Sequence, residues 1–354
     1  MSIVYNCMQF SSIFHPWRLA TLALAVSGAF LFDLLSLPLP LLLGPMFACL
    51  IAALAGMPMK GTPRTSNAMR VVLGVAVGAS LTPALFGRLD EMALSVALVP
   101  IFTAIIVLVG YPYFRRLGFD HPTAYYCSVP GGLQDMAIFG EEAGGNVRAL
   151  ALVHATRVLV IVSLMPVLLT LIWGLELTGP PGDPVADVPI HELLLMAVCG
   201  LVGWWIAARI GMFGGAILGP MIVTGIAAMT DFLHFRPPAE VMQFAQFFLG
   251  LGIGVKYAGI TAEELRRYVA ASIGYCLLLA VLSVIFAEIV IQTGLAAPLE
   301  ALMAFAPGGQ AEMVLLAIIA GADMAYVVTH HLTRVVLVIT CAPIAARLLD
   351  RSAK

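Results

Sequence analysis

Apolar residues run in long blocks along this chain, broken by short polar or Pro/Gly-rich stretches. Twelve blocks stand out, near 19–36, 38–56, 68–87, 92–113, 122–142, 149–174, 192–208, 212–230, 241–258, 268–293, 298–320 and 325–348. A helix needs about 20 mostly apolar residues to cross a bilayer, so blocks of this length predict membrane helices. The one long polar break, residues 176–191, carries Glu176, Asp183 and Asp187 with no Lys or Arg. It reads as an acidic, Pro-rich linker between a first membrane repeat (1–175) and a second (192–354).

The two halves match at an offset of 175 to 177 residues. Leu43-Gly44-Pro45-Met46 returns as Leu218-Gly219-Pro220-Met221, and Leu73-Gly74 with Gly78 returns as Leu249-Gly250 with Gly254. Pro130-Gly131-Gly132, followed by Asp135 and Met136, returns as Pro307-Gly308-Gly309, followed by Glu312 and Met313. His154, Thr156, Arg157 and Pro166 align with His331, Thr333, Arg334 and Pro343. Matches in one order at nearly constant offset predict an internal duplication.

Basic residues mark cytoplasmic loops, which decides between parallel and inverted halves. If all twelve blocks cross, Arg209, Arg266 and Arg267 fall outside. If the Pro-Gly-Gly block of each half instead re-enters, each half crosses five times and the second half is inverted. Arg18, Lys60, Arg64, Arg70, Arg115, Arg116, Arg148, Arg209, Arg266, Arg267, Arg347, Arg351 and Lys354 then all lie at or near the cytoplasmic side, and only Arg88 and Arg236 face out. Block 122–142 gives a local reason, since His121, Gln134, Asp135, Glu141 and Glu142 are costly to expose to lipid. Pro-Gly-Gly also frees backbone groups that survive at membrane depth only inside protein or beside water. The alternative is a proline-kinked helix that still spans. The expectation is an all-α polytopic membrane protein of two homologous, inverted repeats, with an uncleaved first helix.

Composition agrees. The 354 residues are 61% hydrophobic and 11% charged, against roughly 25% charged in a soluble domain. A net charge of −2 offers no basic face for nucleic acid. The six cysteines are scattered without C-x-x-C spacing and read as small apolar residues.

Inverted repeats with broken helices place substrate and ion sites at the breaks. Gly131, Gly132 and Gln134, with Gly308, Gly309 and Gln310, would offer free amides and side-chain hydrogen bonds to an anion. Arg157 and Arg334 would bind an anionic group in a fork, with Asp135, Glu312, His154 and His331 exchanging protons. The structural alternative is an ion pair in each half, Asp135 with Arg157 and Glu312 with Arg334. Asp33 and Glu288 are weaker candidates. Asn146 and Asp323 suit helix caps, the Gly74/Gly78 and Gly250/Gly254 pairs suit close helix packing, and Lys256 suits snorkelling.

The paired Leu-Gly-Pro-Met and Pro-Gly-Gly-x-x-Asp/Glu-Met motifs, with the His-x-Thr-Arg tails, resemble the bacterial AbrB-type duplicated membrane family over roughly residues 19–350. Proteins of that family carry ammonia monooxygenase or membrane-regulator labels. The resemblance implies this duplicated fold in a bacterial inner membrane, and the charge distribution puts both termini in the cytoplasm. A metal oxygenase would need converging ligands, and the seven histidines are scattered, so no metal or cofactor is expected and an enzyme is disfavoured. The leading expectation is a secondary transporter or flippase of a small anionic substrate, proton-coupled. The alternatives are a membrane regulator of gene expression acting through partners, and a metal-dependent oxygenase. The partners expected are a small-molecule substrate and the lipid bilayer, with a homodimer left open.

Overall fold

The computed structural model describes residues 15–81, 89–175, 177, 182–212 and 214–352. Arg88, Lys354, part of the linker and the side chains of Gln134 and Gln310 lie outside what is described. The first half contains α1 (Pro16–Leu34), α2 (Pro40–Leu54), α3 (Pro63–Gly78), α4 (Leu89–Arg116), α5 (His121–Ser128), α6 (Leu133–Glu142) and α7 (Val147–Trp173). The second contains α8 (Ile190–Arg209), α9 (Gly215–Met229), α10 (Ala239–Gly254), α11 (Ala262–Gln292, with a π-helical stretch at Leu265–Val269), α12 (Pro298–Phe305), α13 (Gln310–Ala320) and α14 (Met324–Ser352). The described residues form no strand.

Six helices, α1, α4, α7, α8, α11 and α14, are long and apolar enough to cross a membrane. Their outer faces carry large apolar side chains, with Phe30, Leu108, Leu171 and Leu277 more than 65% exposed. Water would not tolerate such a surface, and lipid accepts it. The chain is a multi-pass helical membrane protein.

Four further helices, α2, α3, α9 and α10, have 15 or 16 residues, and they pack across the halves. A Cβ at Gly74 or Gly78 of α3 would strike the backbone of Ile217 and Met221 on α9, and one at Gly250 or Gly254 of α10 would strike Leu42 and Met46 on α2. The small residues let backbones meet where side chains would hold them apart. Within each half the same device joins α1 to α2 through Gly28 and Gly44, and α8 to α9 through Gly203 and Gly219. The residue before α2, Leu39, takes a left-handed conformation (φ 50°), as does Gly214 (φ 64°) before α9. Leu39 is held there by burial, being 2% exposed.

The two Pro-Gly-Gly blocks are each two short helices. Pro130 and Pro307 lie in the non-helical stretches between α5 and α6 and between α12 and α13. The backbone amide of Asn146, just beyond α6, donates to Thr123 Oγ1 in the first turn of α5 at 2.8 Å. In the second half the amide of Asp323, beyond α13, donates to Glu300 Oε1 near the start of α12 at 3.3 Å. The open end of α5–α6 lies beside the C-terminal end of α4, where Arg115 donates to Phe119 O and Arg267 to Gly118 O. The first turns of α14, which follows α12–α13, lie by the N-terminal end of α4, where His330 meets Ser95 Oγ at 3.1 Å. Tyr275 and Ser283, in the middle of α11, donate to the carbonyls of Ser128 and Phe305 at the ends of α5 and α12.

Local chemistry sets several of these boundaries. Asp120 caps α5 by accepting from Thr123 N, and Asn146 caps α7 by accepting from Ala149 N. Asp323 Oδ1 accepts from the amides of Ala325 and Tyr326 at the start of α14. Among the described cysteines, Cys49, Cys127, Cys199 and Cys276 are buried and free, and Cys341 is free and exposed.

Candidate functional site

Each break leaves carbonyls without partners at the end of its first short helix and amides without partners at the start of its second. The following long helix supplies the carbonyl partners. Arg157 on α7 donates to Gly131 O at 2.6 Å and to Val129 O at 3.4 Å, while His154 bonds Tyr126 O at 3.0 Å. On α14, Arg334 donates to Ala306 O at 3.0 Å and to Gly308 O at 3.2 Å, and His331 bonds Met303 O at 2.9 Å. The sequence separations, 28 and 26 residues, are the same in both halves. These four side chains are at most 3% exposed. A cation at the carbonyl end of a short helix also complements its dipole.

The halves differ in one bond. Arg334 Nη2 donates to His331 Nδ1 at 2.9 Å, which places that ring's proton on Nε2, facing Met303 O. In the first half Nδ1 of His154 has no partner, and Nε of both arginines is likewise unpaired.

The amide ends are served by the acids. Asp135 and Glu312 are the third residues of α6 and α13, and Gly132 and Gly309 precede those helices. Each carboxylate folds back over its glycine, where a Cβ would strike it. An acid in the first helical turn favours the positive end of the dipole. The arginines therefore hold one side of each break and the acids the other. Neither Asp135–Arg157 nor Glu312–Arg334 forms an ion pair among the described contacts, contrary to the structural alternative considered from the sequence. The arginine ends meant to fork a substrate are turned onto backbone carbonyls.

A different cation lies near the acids. Arg70 on α3 is half-buried beside Asn67, to whose Oδ1 it donates at 3.3 Å. Its helix packs against α13, which carries Glu312 in its first turn. Asp135, Gly309 and Glu312 are half-buried and Gly132 is exposed, while Pro130, Gly131, Pro307 and Gly308 are buried. The charge count over the sequence places Arg70 at or near the cytoplasmic side, just inside the apolar block that starts near residue 68. Pro63, in the first turn, opens the helix five residues earlier and draws Arg70 into its second turn.

Other candidates lie apart from this cluster. Asp33 and Glu288 are exposed, and Glu288 accepts from Gln292. Glu141 and Glu142 are exposed at the open end of α5–α6, and His121 bonds Tyr111 OH at 2.7 Å. No three His, Cys, Asp or Glu side chains come together as a metal-binding group among the described residues.

The comparisons with known proteins agree with one another. A protein of Bacillus subtilis (strain 168) named "Uncharacterized protein YhjN" is 28% identical, covering 93% of this chain and 92% of its own. "Putative regulator AbrB" of Escherichia coli (strain K12) is 24% identical, covering 94% of this chain and 95% of its own. No solved structure matches this chain. The family described as "Transition state regulatory protein AbrB" matches residues 41–350, nearly the whole chain, and the chain belongs to the AbrB family.

Proposed function

We propose that the protein is a secondary transporter, or flippase, of a small anionic substrate, coupled to protons, in a bacterial inner membrane. The observation that carries this reading is the pair of helix breaks, one in each half, that each put an acid, Asp135 or Glu312, in the first turn of the following short helix, with α3, which carries Arg70, packed against α13. An intramembrane charge costs on the order of 2.5–3.5 kcal/mol by insertion scales, which favours a functional use.

In this reading residues 1–175 and 192–354 are inverted repeats joined by the linker 176–191. The α5–α6 and α12–α13 segments are re-entrant hairpins whose tips meet at mid-depth. The Asn146–Thr123 and Asp323–Glu300 bonds support re-entry, and the contact of His330, early in α14, with the N-terminal end of α4, opposite the end from which α5 departs, supports inversion. Both termini then face the cytoplasm. Arg70 takes the substrate's anionic group in a bidentate fork, with Gly132, Gln134, Gly309 and Gln310 lining the same space. Asp135 and Glu312, half-buried near Arg70, exchange the coupled proton. Arg157, Arg334, His154 and His331 keep the tips in shape, with Gly131 and Gly308 supplying the carbonyls they hold.

Thermal stability of the detergent-purified protein against a panel of small organic anions tests this, because a ligand that binds only the folded state stabilises it by mass action. The expected result is a stabilising anion whose effect disappears in Arg70→Gln. Asp135→Asn and Glu312→Gln should flatten the pH dependence of its uptake. A stabilising anion that acts equally on Arg70→Gln overturns the assignment of Arg70.

A second reading, a membrane regulator acting through partners, is favoured by the printed name of the Escherichia coli relative. It predicts that Arg70→Gln leaves any regulatory phenotype intact.

A further inference from the structure

A shallow groove opens between α7, α11 and the end of α12. Its walls include Ile161, Leu164 and Met165 on one side and Ala280 and Val284 on the other, and its floor is Ala306–Pro307 at the second break. The hydroxyl of Ser283, which also lines it, is already engaged by the carbonyls of Leu279 and Phe305. The groove's accessible lining is almost wholly apolar and offers little to a polar group. The rim is open sideways, with Leu164 43% and Val284 57% exposed.

Depth selects the occupant. Ile161 and Leu164 lie near the middle of α7 and Ala280 near the middle of α11, both spanning-length helices. The middle of such a helix lies in the hydrocarbon layer, where acyl chains are the solvent. We infer that the groove seats one hydrocarbon chain of a bilayer lipid against the tip between α12 and α13. The inference rests on the membrane placement of these helices and is independent of transport.

The site has a structural consequence for the tip. Arg334 holds Ala306 O and Gly308 O from α14, while the Ala306–Pro307 side chains border the groove. A seated chain supplies the dispersion contacts that protein atoms would otherwise make there. It completes the packing around the docked tip.

Photo-crosslinking tests this with the whole protein in nanodiscs of phosphatidylcholine carrying a diazirine at mid-chain. Leu171 and Leu277, 76% and 67% exposed on the outer faces of α7 and α11, report ordinary lipid contact. The expected result is a several-fold higher crosslink yield at Ile161, Ala280 and Pro307 than at Leu171 and Leu277. Ala280→Phe, which fills the groove, should remove that excess and leave Leu171 and Leu277 unchanged. Ala280→Leu serves if the larger ring prevents folding. Equal yields at groove and outer residues, or an excess that persists in the filled variant, overturns the inference.

Discussion

The amide of Asn146 and the hydroxyl of Thr123 lie 2.8 Å apart, so the chain ends the α5–α6 segment where it began it. Single cysteines at Gly118 and Gly145, in a background without native cysteines, should therefore react with an impermeant thiol reagent from the same side of sealed vesicles. Cysteines at Leu295 and Gly321, flanking α12–α13, should react from the other side. Labelling of positions 118 and 145 from opposite sides would mean a kinked helix that crosses.

Arg157 and Arg334 act on folding before they act on any substrate. Each engages two carbonyls at a break, and hydrogen bonds to a charged group contribute roughly 1.5–3 kcal/mol. Arg334→Ala should destabilise the protein by about 3 kcal/mol without any ligand present, with the buried carbonyls left unpaired. Arg334→Lys should recover only part, since one ammonium cannot reproduce the planar fork. Urea or thermal unfolding in detergent measures this, and an unchanged midpoint for Arg334→Ala would return the arginine to a ligand role.

Much of this was readable along the chain, and the limits have physical causes. Asn146 and Asp323 were legible as caps because a cap is settled by neighbours within three residues. The Pro-Gly-Gly positions marked the breaks because a missing amide followed by two residues without side chains leaves little to hold a helix, whereas lone prolines such as Pro166 and Pro343 stay inside theirs. The i, i+3 spacing of His154 and Arg157 put them on one face but did not say what that face meets. Its partners are carbonyls 26 and 28 residues earlier, a tertiary choice. Arg70 was missed because its helix start was placed at the first apolar run instead of at Pro63.

Close backbone approach at the Leu-Gly-Pro-Met motif makes its glycine intolerant of a side chain. A Cβ at Gly219 would strike Gly203 O on α8 and the Ala207 side chain. Overpacking of this kind costs typically 1–3 kcal/mol, so Gly219→Val should lower stability by about that much, and Gly44→Val, against Gly28 on α1, likewise. Gly56→Ala should also be felt, but through its left-handed backbone (φ 77°), since nothing stands near its added methyl. Equal stability of wild type and Gly219→Val would mean that α8 and α9 are farther apart than described.

In the α9–α10 loop, outside the spanning-length helices, His234 ties that loop to the start of α8. Its Nδ1 lies 2.9 Å from Glu192 Oε1 and its Nε2 3.3 Å from Asp231 Oδ1. The hydrogen bond to Glu192 is the main reason its pKa stands above the ordinary histidine value of about 6.5, with the nearby Asp231 and Glu192 charges adding to it. Because the folded value is the raised one, the charged contact stabilises the fold fully below the unfolded pKa. It is lost as pH rises through the folded value. The ring is half-exposed, so solvent screens the effect and it is small. His234→Gln should therefore melt below wild type at acidic pH, with the gap closing toward alkaline pH. A gap of the same size at both ends would show that the ring acts as a neutral hydrogen-bond donor and that its charge contributes nothing to the fold.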